Sequence, residues 1–221
     1  VEFANKGNAA DFGNLTADTR GATGHGNDTR GLRAGGFDPG NSNVIDYVTY
    51  ATIGNATDFG DLTAATALLA SAGSNTRTVF AGGLSPSDTD VIEYVTTGST
   101  GDATDFGDLT DARQRLAGLS STTRAAFGGG TPNYSDVIDY ITIGSTGDAT
   151  DFGNLTVDRY VDGGRGSNQT RGVFAGGYDG SDSNVIDYIT IASTGDATDF
   201  GDLLSAVRGA AGYSNGHGGL A

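Results

Sequence analysis

The most regular pattern of apolar and polar positions is a short stretch built around an acid and a tyrosine. In Val185 to Ile191, with the sequence VIDYITI, every second side chain falls on the same face of an extended chain. This alternation predicts a β-strand, and flanking strands are predicted at Arg171 to Gly176 and at Thr198 to Leu203. A weaker fourth strand is predicted at Ala206 to Gly212. The stretch Ala64 to Ala72 favours helix by propensity alone, but glycines at equivalent positions elsewhere favour a strand there too.

Short motifs recur along the whole chain with a spacing of 44 to 48 residues. Asp-Phe-Gly begins at Asp11, Asp58, Asp105, Asp151 and Asp199. A triplet of a β-branched residue, an acid and an aromatic residue begins at Val1, Ile45, Ile92, Ile138 and Ile186. Five repeat units follow, over residues 1–44, 45–91, 92–137, 138–185 and 186–221. A period of this length with several strands per unit is typical of propeller blades. The sequence therefore predicts an all-β fold, a five-bladed β-propeller that forms a single domain over residues 1–221.

The two ends of the repeat array are predicted to meet. The chain starts on the strand equivalent to Val185 onward and stops within the strand that precedes it in the other units. In a closed ring, Val1 to Ala4 would pair with Gly219 to Ala221, so that both termini complete the last blade. The alternative is an open β-solenoid, which needs polar caps at both ends.

Composition narrows the range of functions. The 221 residues include 38 glycines and no cysteine, and the formal net charge is −15. Without cysteine there is no disulfide framework and no thiolate metal site. An acidic surface repels phosphate backbones, so we expect no nucleic-acid partner. No apolar run approaches the length of a membrane-spanning helix, so we expect no membrane insertion.

Three features of the unit resemble kelch-type β-propeller repeats. These are a double glycine after the first strand, a tyrosine on the next strand and a bulky aromatic on the third. The glycine pairs are Gly35-Gly36, Gly82-Gly83, Gly129-Gly130 and Gly176-Gly177, the tyrosines are Tyr47, Tyr94, Tyr140 and Tyr188, and the aromatics are Phe59, Phe106, Phe152 and Phe200. The sequence pattern IDYITI…TGDATDFGDLT is similar to kelch-like arrays in structural and tail-fibre proteins of marine tailed phages of the cyanophage type. The resemblance implies a virion or extracellular structural protein.

An arginine and an acid keep a spacing of 15 or 16 residues in four units. A hairpin centred near Phe37 to Pro39, or near Tyr178 to Gly180, would place them opposite each other, and a buried acid needs a partner. The predicted structural ion pairs are Arg30–Asp46, Arg77–Glu93, Arg124–Asp139 and Arg171–Asp187. The alternative is that these arginines form a binding ring around a central channel.

Acidic residues also flank each Asp-Phe-Gly phenylalanine. Oxygen ligands of this kind suit calcium, and the candidate ligands are Asp58, Asp61, Asp105, Asp108, Asp199 and Asp202. Asp next to Gly or Thr is equally typical of turns, because its side chain accepts hydrogen bonds from nearby backbone amides. The sequence predicts turn chemistry, with no other cofactor and with calcium as the alternative.

The units differ most in their loops, where binding usually resides. The loop aromatics Phe37, Tyr134 and Tyr178 are candidates for stacking on sugar rings. No catalytic residues are predicted, because the acids recur in every unit. We expect a non-enzymatic module that presents loops to a host-surface glycan or docks to a neighbouring structural chain of the same assembly. The alternatives are an assembly or decoration module without a ligand, and a polysaccharide-acting propeller enzyme.

Overall fold

The fold consists of four four-stranded antiparallel sheets and one two-stranded hairpin. A computed structural model of the chain describes residues 8–212. Over this range the protein contains no helix, and hence none that is long and apolar enough to cross a membrane. The all-β prediction is therefore confirmed.

Each sheet is formed by strands that follow one another along the chain. The first sheet contains β1 (Thr23–Gly26), β2 (Arg30–Ala34), β5 (Val44–Thr49) and β6 (Thr57–Asp61), with the hairpin β3 (Phe37–Asp38) and β4 (Gly40–Asn41) in its loop. The second contains β7 (Ala70–Gly73), β8 (Arg77–Ala81), β9 (Val91–Thr96) and β10 (Thr104–Asp108). The third contains β11 (Ala117–Ser120), β12 (Arg124–Gly128), β13 (Val137–Thr142) and β14 (Thr150–Asn154). The fourth contains β15 (Arg165–Ser167), β16 (Arg171–Ala175), β17 (Val185–Thr190) and β18 (Thr198–Asp202).

The three stronger strands of the predicted unit are confirmed in β16, β17 and β18. The fourth strand is not where the sequence placed it, because no strand forms over Ala206 to Gly212. Instead, β15 precedes β16 and completes the fourth sheet. Each sheet therefore begins earlier in the repeat than the predicted units do. The predicted pairing of Val1 to Ala4 with Gly219 to Ala221 lies outside the described residues.

Asp-Phe-Gly forms a β-bulge on the last strand of each sheet, which we call the outer strand: β6, β10, β14 and β18. Between β5 and β6 the register shifts, so that Asp46 faces Asp58 and Ile45 faces Gly60. Gly60 has a φ of +144°, and a Cβ atom there would lie 2.5 Å from the carbonyl oxygen of Gly101 in the next sheet. Only glycine combines this backbone conformation with so close an approach. The motif is thus a contact between neighbouring units.

Successive sheets are also joined by a series of backbone hydrogen bonds, which we call the collar, just before the first strand of each sheet. We call these first strands, β1, β7, β11 and β15, the inner strands. The amide of Leu68 donates to the carbonyl of Gly21, that of Arg115 to Leu68, and that of Val161 to Arg115. The inner strands β1, β7, β11 and β15 contact one another in this order. Three apolar clusters fill the spaces between adjacent sheets and contain Phe80, Phe127 and Phe174, each fully buried. The inner strands therefore surround a common axis.

Candidate functional site

The arginine that recurs in each of the four sheets lies on a tyrosine ring and not against an acid. The guanidinium carbon of Arg77 is 4.1 Å from the ring centroid of Tyr94, which in turn contacts Phe106 edge-on at 5.8 Å. The same ladder of arginine, tyrosine and phenylalanine occurs in the other sheets, as Arg30–Tyr47–Phe59, Arg124–Tyr140–Phe152 and Arg171–Tyr188–Phe200. Cation–π contacts of this kind contribute about 0.5–2 kcal/mol each.

The predicted pairs Arg30–Asp46, Arg77–Glu93, Arg124–Asp139 and Arg171–Asp187 do not form, so this prediction was wrong. Each arginine faces a threonine three residues beyond the acid, as Arg30 faces Thr49. Arg77, Arg124 and Arg171 face Thr96, Thr142 and Thr190 in the same way. The hairpin is centred more than a residue later than the sequence suggested, and that offset moves the strand register by three residues.

These arginines do not form a binding ring around the axis either. Arg77 donates to the carbonyl of Ile143 at 2.7 Å, and Arg124 donates to that of Ile191 at 3.0 Å. Both acceptors belong to the following sheet. Arg77 and Arg124 are therefore structural links between units, formed by stacking within one sheet and hydrogen bonding to the next, and Arg30 and Arg171 share the stacking.

The buried acids find other partners. Asp46 pairs with Arg33 at 3.3 Å, Asp139 with Arg113 at 2.8 Å and Asp187 with Arg159 at 2.9 Å. All three carboxylates are fully buried. They also accept hydrogen bonds from threonines of the preceding unit, Thr16, Thr110 and Thr156. Arg113 and Arg159 occupy equivalent positions after Asp-Phe-Gly, whereas Arg33 lies on β2, so no single spacing relates the cations to the acids in all three units.

Glu93 occupies the same strand position but has no ion pair among the described residues. Phe80 on the neighbouring strand β8 faces Glu93. Oε2 of Glu93 accepts a hydrogen bond from the Thr63 amide at 2.7 Å. Burial raises the pKa of Glu93 above its ordinary 4.5, although the hydrogen bonds from Thr63 oppose the shift. The ionised form is therefore less stable in the folded protein than in water.

Replacing Glu93 by glutamine should change how stability depends on pH. Because the folded pKa of Glu93 is raised, its contribution to stability is complete below about pH 4.5 and is lost as the pH rises through the folded pKa. The free energy of unfolding of Glu93→Gln should therefore improve relative to wild type as the pH rises from 4.5 to 8. Urea unfolding across this range measures the difference. Asp111→Asn, which removes an exposed charge, is the control and should run parallel to wild type; parallel curves for Glu93→Gln would contradict the prediction.

The acids around Asp-Phe-Gly take part in turns and in contacts between units. Asp199 accepts a hydrogen bond from the amide of Gly201, as turn chemistry predicts. The backbone amides of Asp61 and Asp108 donate hydrogen bonds to the carboxylates of Asp102 and Asp148, respectively, in the next unit.

Of the candidate calcium ligands, Asp58, Asp61, Asp105, Asp108, Asp199 and Asp202, all lie on the outer strands β6, β10 and β18. Partial burial and the nearby charges of Asp90, Asp148 and Asp105 raise the pKa of Asp108. Within residues 8–212, no three acidic or histidine side chains converge in a way that could hold a metal ion. The observed contacts of the candidate ligands are the turn at Asp199 and the hydrogen bonds between units at Asp61 and Asp108.

Three tyrosines come together from a loop of the third sheet, a loop of the fourth sheet and the link between these sheets. The ring centroid of Tyr160 is 5.5 Å from that of Tyr178, with the rings stacked, and Tyr134 lies 5.9 Å from Tyr178. Tyr160 is buried, whereas Tyr134 and Tyr178 are half-buried. We call these three residues the tyrosine cluster. Two of the three predicted loop aromatics therefore meet in one place.

Charged side chains surround the tyrosine cluster. The guanidinium of Arg115 lies 5.2 Å from the Tyr160 ring centroid and pairs with Asp162 at 3.0 Å. Arg208 lies 4.7 Å from the Tyr178 ring centroid and pairs with Asp182 at 3.0 Å. These groups place donors and acceptors beside exposed aromatic surface.

Phe37 lies outside this cluster. It forms a bridge with Arg20 in the first sheet, at the position that Tyr178 occupies in the fourth, and the Arg20 guanidinium lies 5.8 Å from its ring. Sequence reasoning missed Tyr160 and the two arginines, because they come from the link before an inner strand. Alignment of the repeat units could have identified Tyr160, because the equivalent residues Arg20, Ala67 and Gln114 are not aromatic.

A second concave site lies among the inner strands. A cavity of about 270 Å³ is bordered by residues of β1, β7, β11 and β15, and the guanidinium of Arg165 lies in its wall. Nη2 of Arg165 donates to Oγ of Ser71 at 3.2 Å, across the axis from the fourth sheet to the second. No sequence argument singled out Arg165.

Comparison with models of known protein families finds no family that matches this chain. A search of curated protein sequences finds no significant match either.

Proposed function

We propose that this protein is a non-enzymatic binding module whose repeated sheets present the tyrosine cluster to a glycan. The observation that carries the proposal is the mutual packing of Tyr134, Tyr160 and Tyr178 in loops held by two neighbouring sheets. Aromatic rings offer a rigid apolar face, and the hydroxyl group of tyrosine adds a polar edge. Sugar rings have matching faces and edges. Loops on a rigid scaffold are the usual place for such recognition.

The surroundings of the cluster fit a polar ligand. Asp162 and Asp182 remain partly exposed, with side-chain exposures of 27% and 42%, beside their arginine partners. Carboxylates and guanidinium groups can accept from and donate to sugar hydroxyls. The other sheets do not repeat this arrangement, since the aligned positions hold Ala67 with Leu84 and Gln114 with Thr131. A feature present in one unit is a better candidate for function than one present in all.

Removal of the Tyr178 ring should weaken glycan binding by about tenfold or more, as for other central aromatic contacts. The measurement is a glycan array with the labelled full chain, followed by titration of the strongest ligand against Tyr178→Ala and Tyr134→Ala. Phe37→Ala is the matched control, because Phe37 occupies the same repeat position in the first sheet. Equal affinity in all three variants, or an array without signal, would count against the glycan proposal.

We further propose a virion or extracellular setting, with other structural chains of the same assembly as partners. The support is the resemblance of the repeat to kelch-like arrays in phage structural proteins, together with a strongly acidic surface of net charge −15. Such a charge favours solubility and disfavours nonspecific contact with nucleic acid.

We also propose that the full chain closes a five-bladed propeller. Residues before β1 already contact the first sheet as an outer strand contacts the next unit, because the Gly54 amide donates to the Phe12 carbonyl as Gly101 donates to Phe59. At the other end, the Gly212 amide donates to the carbonyl of Gly163. The described chain thus provides an outer segment at one end and the approach to an inner strand at the other. A ring leaves few exposed sheet edges.

A further inference from the structure

One position on the inner strands breaks the symmetry of the repeat at the axis. The residues at this position are Gly24, Ser71, Gly118 and Arg165 on β1, β7, β11 and β15, and Gly212, which lies outside any strand, continues the spacing of 47 residues. In each sheet the residue faces an equivalent position on the second strand, as Ser71 faces Phe80 and Arg165 faces Phe174. Four of the five residues are therefore small and neutral. The fifth is the most strongly basic side chain that a protein can carry.

The small residues leave the space into which Arg165 extends. Its guanidinium reaches Ser71, which is 94 residues away in sequence and lies in a sheet that is not adjacent to its own. The cavity around it has a volume of about 270 Å³, and its walls include Leu32, Ala72 and Leu119. No aspartate or glutamate is among the described residues that line it. Arg165 and His25 are thus the basic groups of a cavity whose described lining contains no acid, in an acidic protein.

The chain treats its other buried arginines differently. Arg113 and Arg159 are fully buried, whereas Arg165 is half-buried, and each of the two forms an ion pair of 2.8–2.9 Å with a buried aspartate. A guanidinium has five N–H donors, and burying its charge without an anion is costly. Arg165 has Ser71 as a side-chain partner and no carboxylate within 4.0 Å among the described residues. Burial lowers its pKa to about 10, in agreement with an uncompensated cation.

We propose that the axial cavity binds a small organic carboxylate, with Arg165 as the anchoring residue. The guanidinium fork matches the two oxygens of a carboxylate, and such charge-assisted hydrogen bonds are about twice as strong as neutral ones. The apolar walls formed by Leu32, Ala72 and Leu119 accommodate the body of the molecule. The cavity is slightly smaller than the sites that hold drug-sized ligands, which restricts the ligand to a compact one.

A monovalent carboxylate fits better than a phosphate. The described lining of the cavity offers one arginine, with His25 as a second basic group, whereas sites for phosphate commonly combine several donors and charges. The net charge of −15 also opposes a dianion more than a monoanion. Inorganic phosphate is therefore the comparison ligand in the test.

The test uses benzoate and its neutral isostere benzamide with the full chain. Calorimetric titration at constant ionic strength should show binding of benzoate to wild type, with benzamide and inorganic phosphate at least tenfold weaker. Arg165→Gly places in the fourth unit the residue that three other units have at this position, so the fold should be retained. This variant should lose about tenfold to hundredfold in benzoate affinity. Arg165→Lys, which keeps the charge without the fork, should fall between the two.

Several results would overturn the proposal. These are the absence of benzoate binding to wild type, equal binding of benzoate and benzamide, tighter binding of phosphate, and unchanged affinity in Arg165→Gly. Thermal unfolding of Arg165→Gly is the control for folding. A melting temperature close to that of wild type would show that a loss of benzoate affinity is not due to misfolding. Tyr178→Ala separates this site from the tyrosine cluster, because its affinity for benzoate should equal that of wild type even where glycan binding is lost.

Discussion

Replacing Asp187 by asparagine is expected to lower the free energy of unfolding by about 3–5 kcal/mol, the usual cost of removing one member of a buried ion pair. Both Asp187 and Arg159 are completely buried. Asparagine keeps the volume of the side chain and can still accept from Thr156, so the loss is that of the negative charge. The guanidinium of Arg159 would then stay in the interior without compensation.

Glu93→Gln is the matched control for this experiment. Glu93 lies at the same position of its unit and is 5% exposed, but no arginine pairs with it among the described residues. Its replacement should cost less than about 1 kcal/mol at neutral pH, because no buried cation is left alone. Urea unfolding measures the free energy of unfolding of both variants at neutral pH, and the two losses are compared. Equal losses would mean that packing and hydrogen bonds, not the ion pair, determine the contribution of Asp187.

The second large effect concerns the phenylalanine of Asp-Phe-Gly. Phe106 is 3% exposed, packs between the second and third sheets and contacts Tyr94 edge-on. Its replacement by alanine should cost about 3–5 kcal/mol, through lost burial and the cavity that remains. The loss of the aromatic contact adds to this cost. Equilibrium unfolding in urea provides the measurement.

Phe200 is the counterpart of Phe106 in the fourth sheet, but it is 56% exposed. If the full chain closes a five-bladed propeller, a fifth unit covers the Phe200 side chain as the third sheet covers Phe106. Phe200→Ala should then cost more than about 2 kcal/mol, approaching the loss in Phe106→Ala. A cost below about 0.5 kcal/mol, typical of exposed sites, would argue for an open array.

The repeat and its principal strands could be predicted from the sequence because they rest on local signals. Alternating side chains identify β17, and the period identifies its relatives β5, β9 and β13. The inner strands are harder to place. They consist of small residues such as those of Ala117–Ser120, whose burial depends on neighbouring sheets and leaves no alternation to detect.

The partners of the charged residues could not be predicted in the same way. The register of a hairpin depends on the centre of its loop, and the loop after the double glycine varies between units. An offset of little more than one residue was enough to assign Arg30 to Asp46 in place of the Tyr47 ring. Arg113 and Arg159 occupy positions where the first two units have threonine, so no repeated pattern pointed to them. Contacts between units require the arrangement of the sheets as well as their sequence.

The collar of hydrogen bonds between successive units involves backbone atoms alone. Leu68, Arg115 and Val161 have unrelated side chains, yet each donates its amide to the unit before it. A duplicated unit inserted beside its parent would inherit these bonds whatever its loops and side chains became. Growth of the array by gene duplication, and divergence of each copy afterwards, are therefore compatible with the same joints. The single arginine at the axis and the single tyrosine cluster are differences that such a history can accumulate without loss of the scaffold.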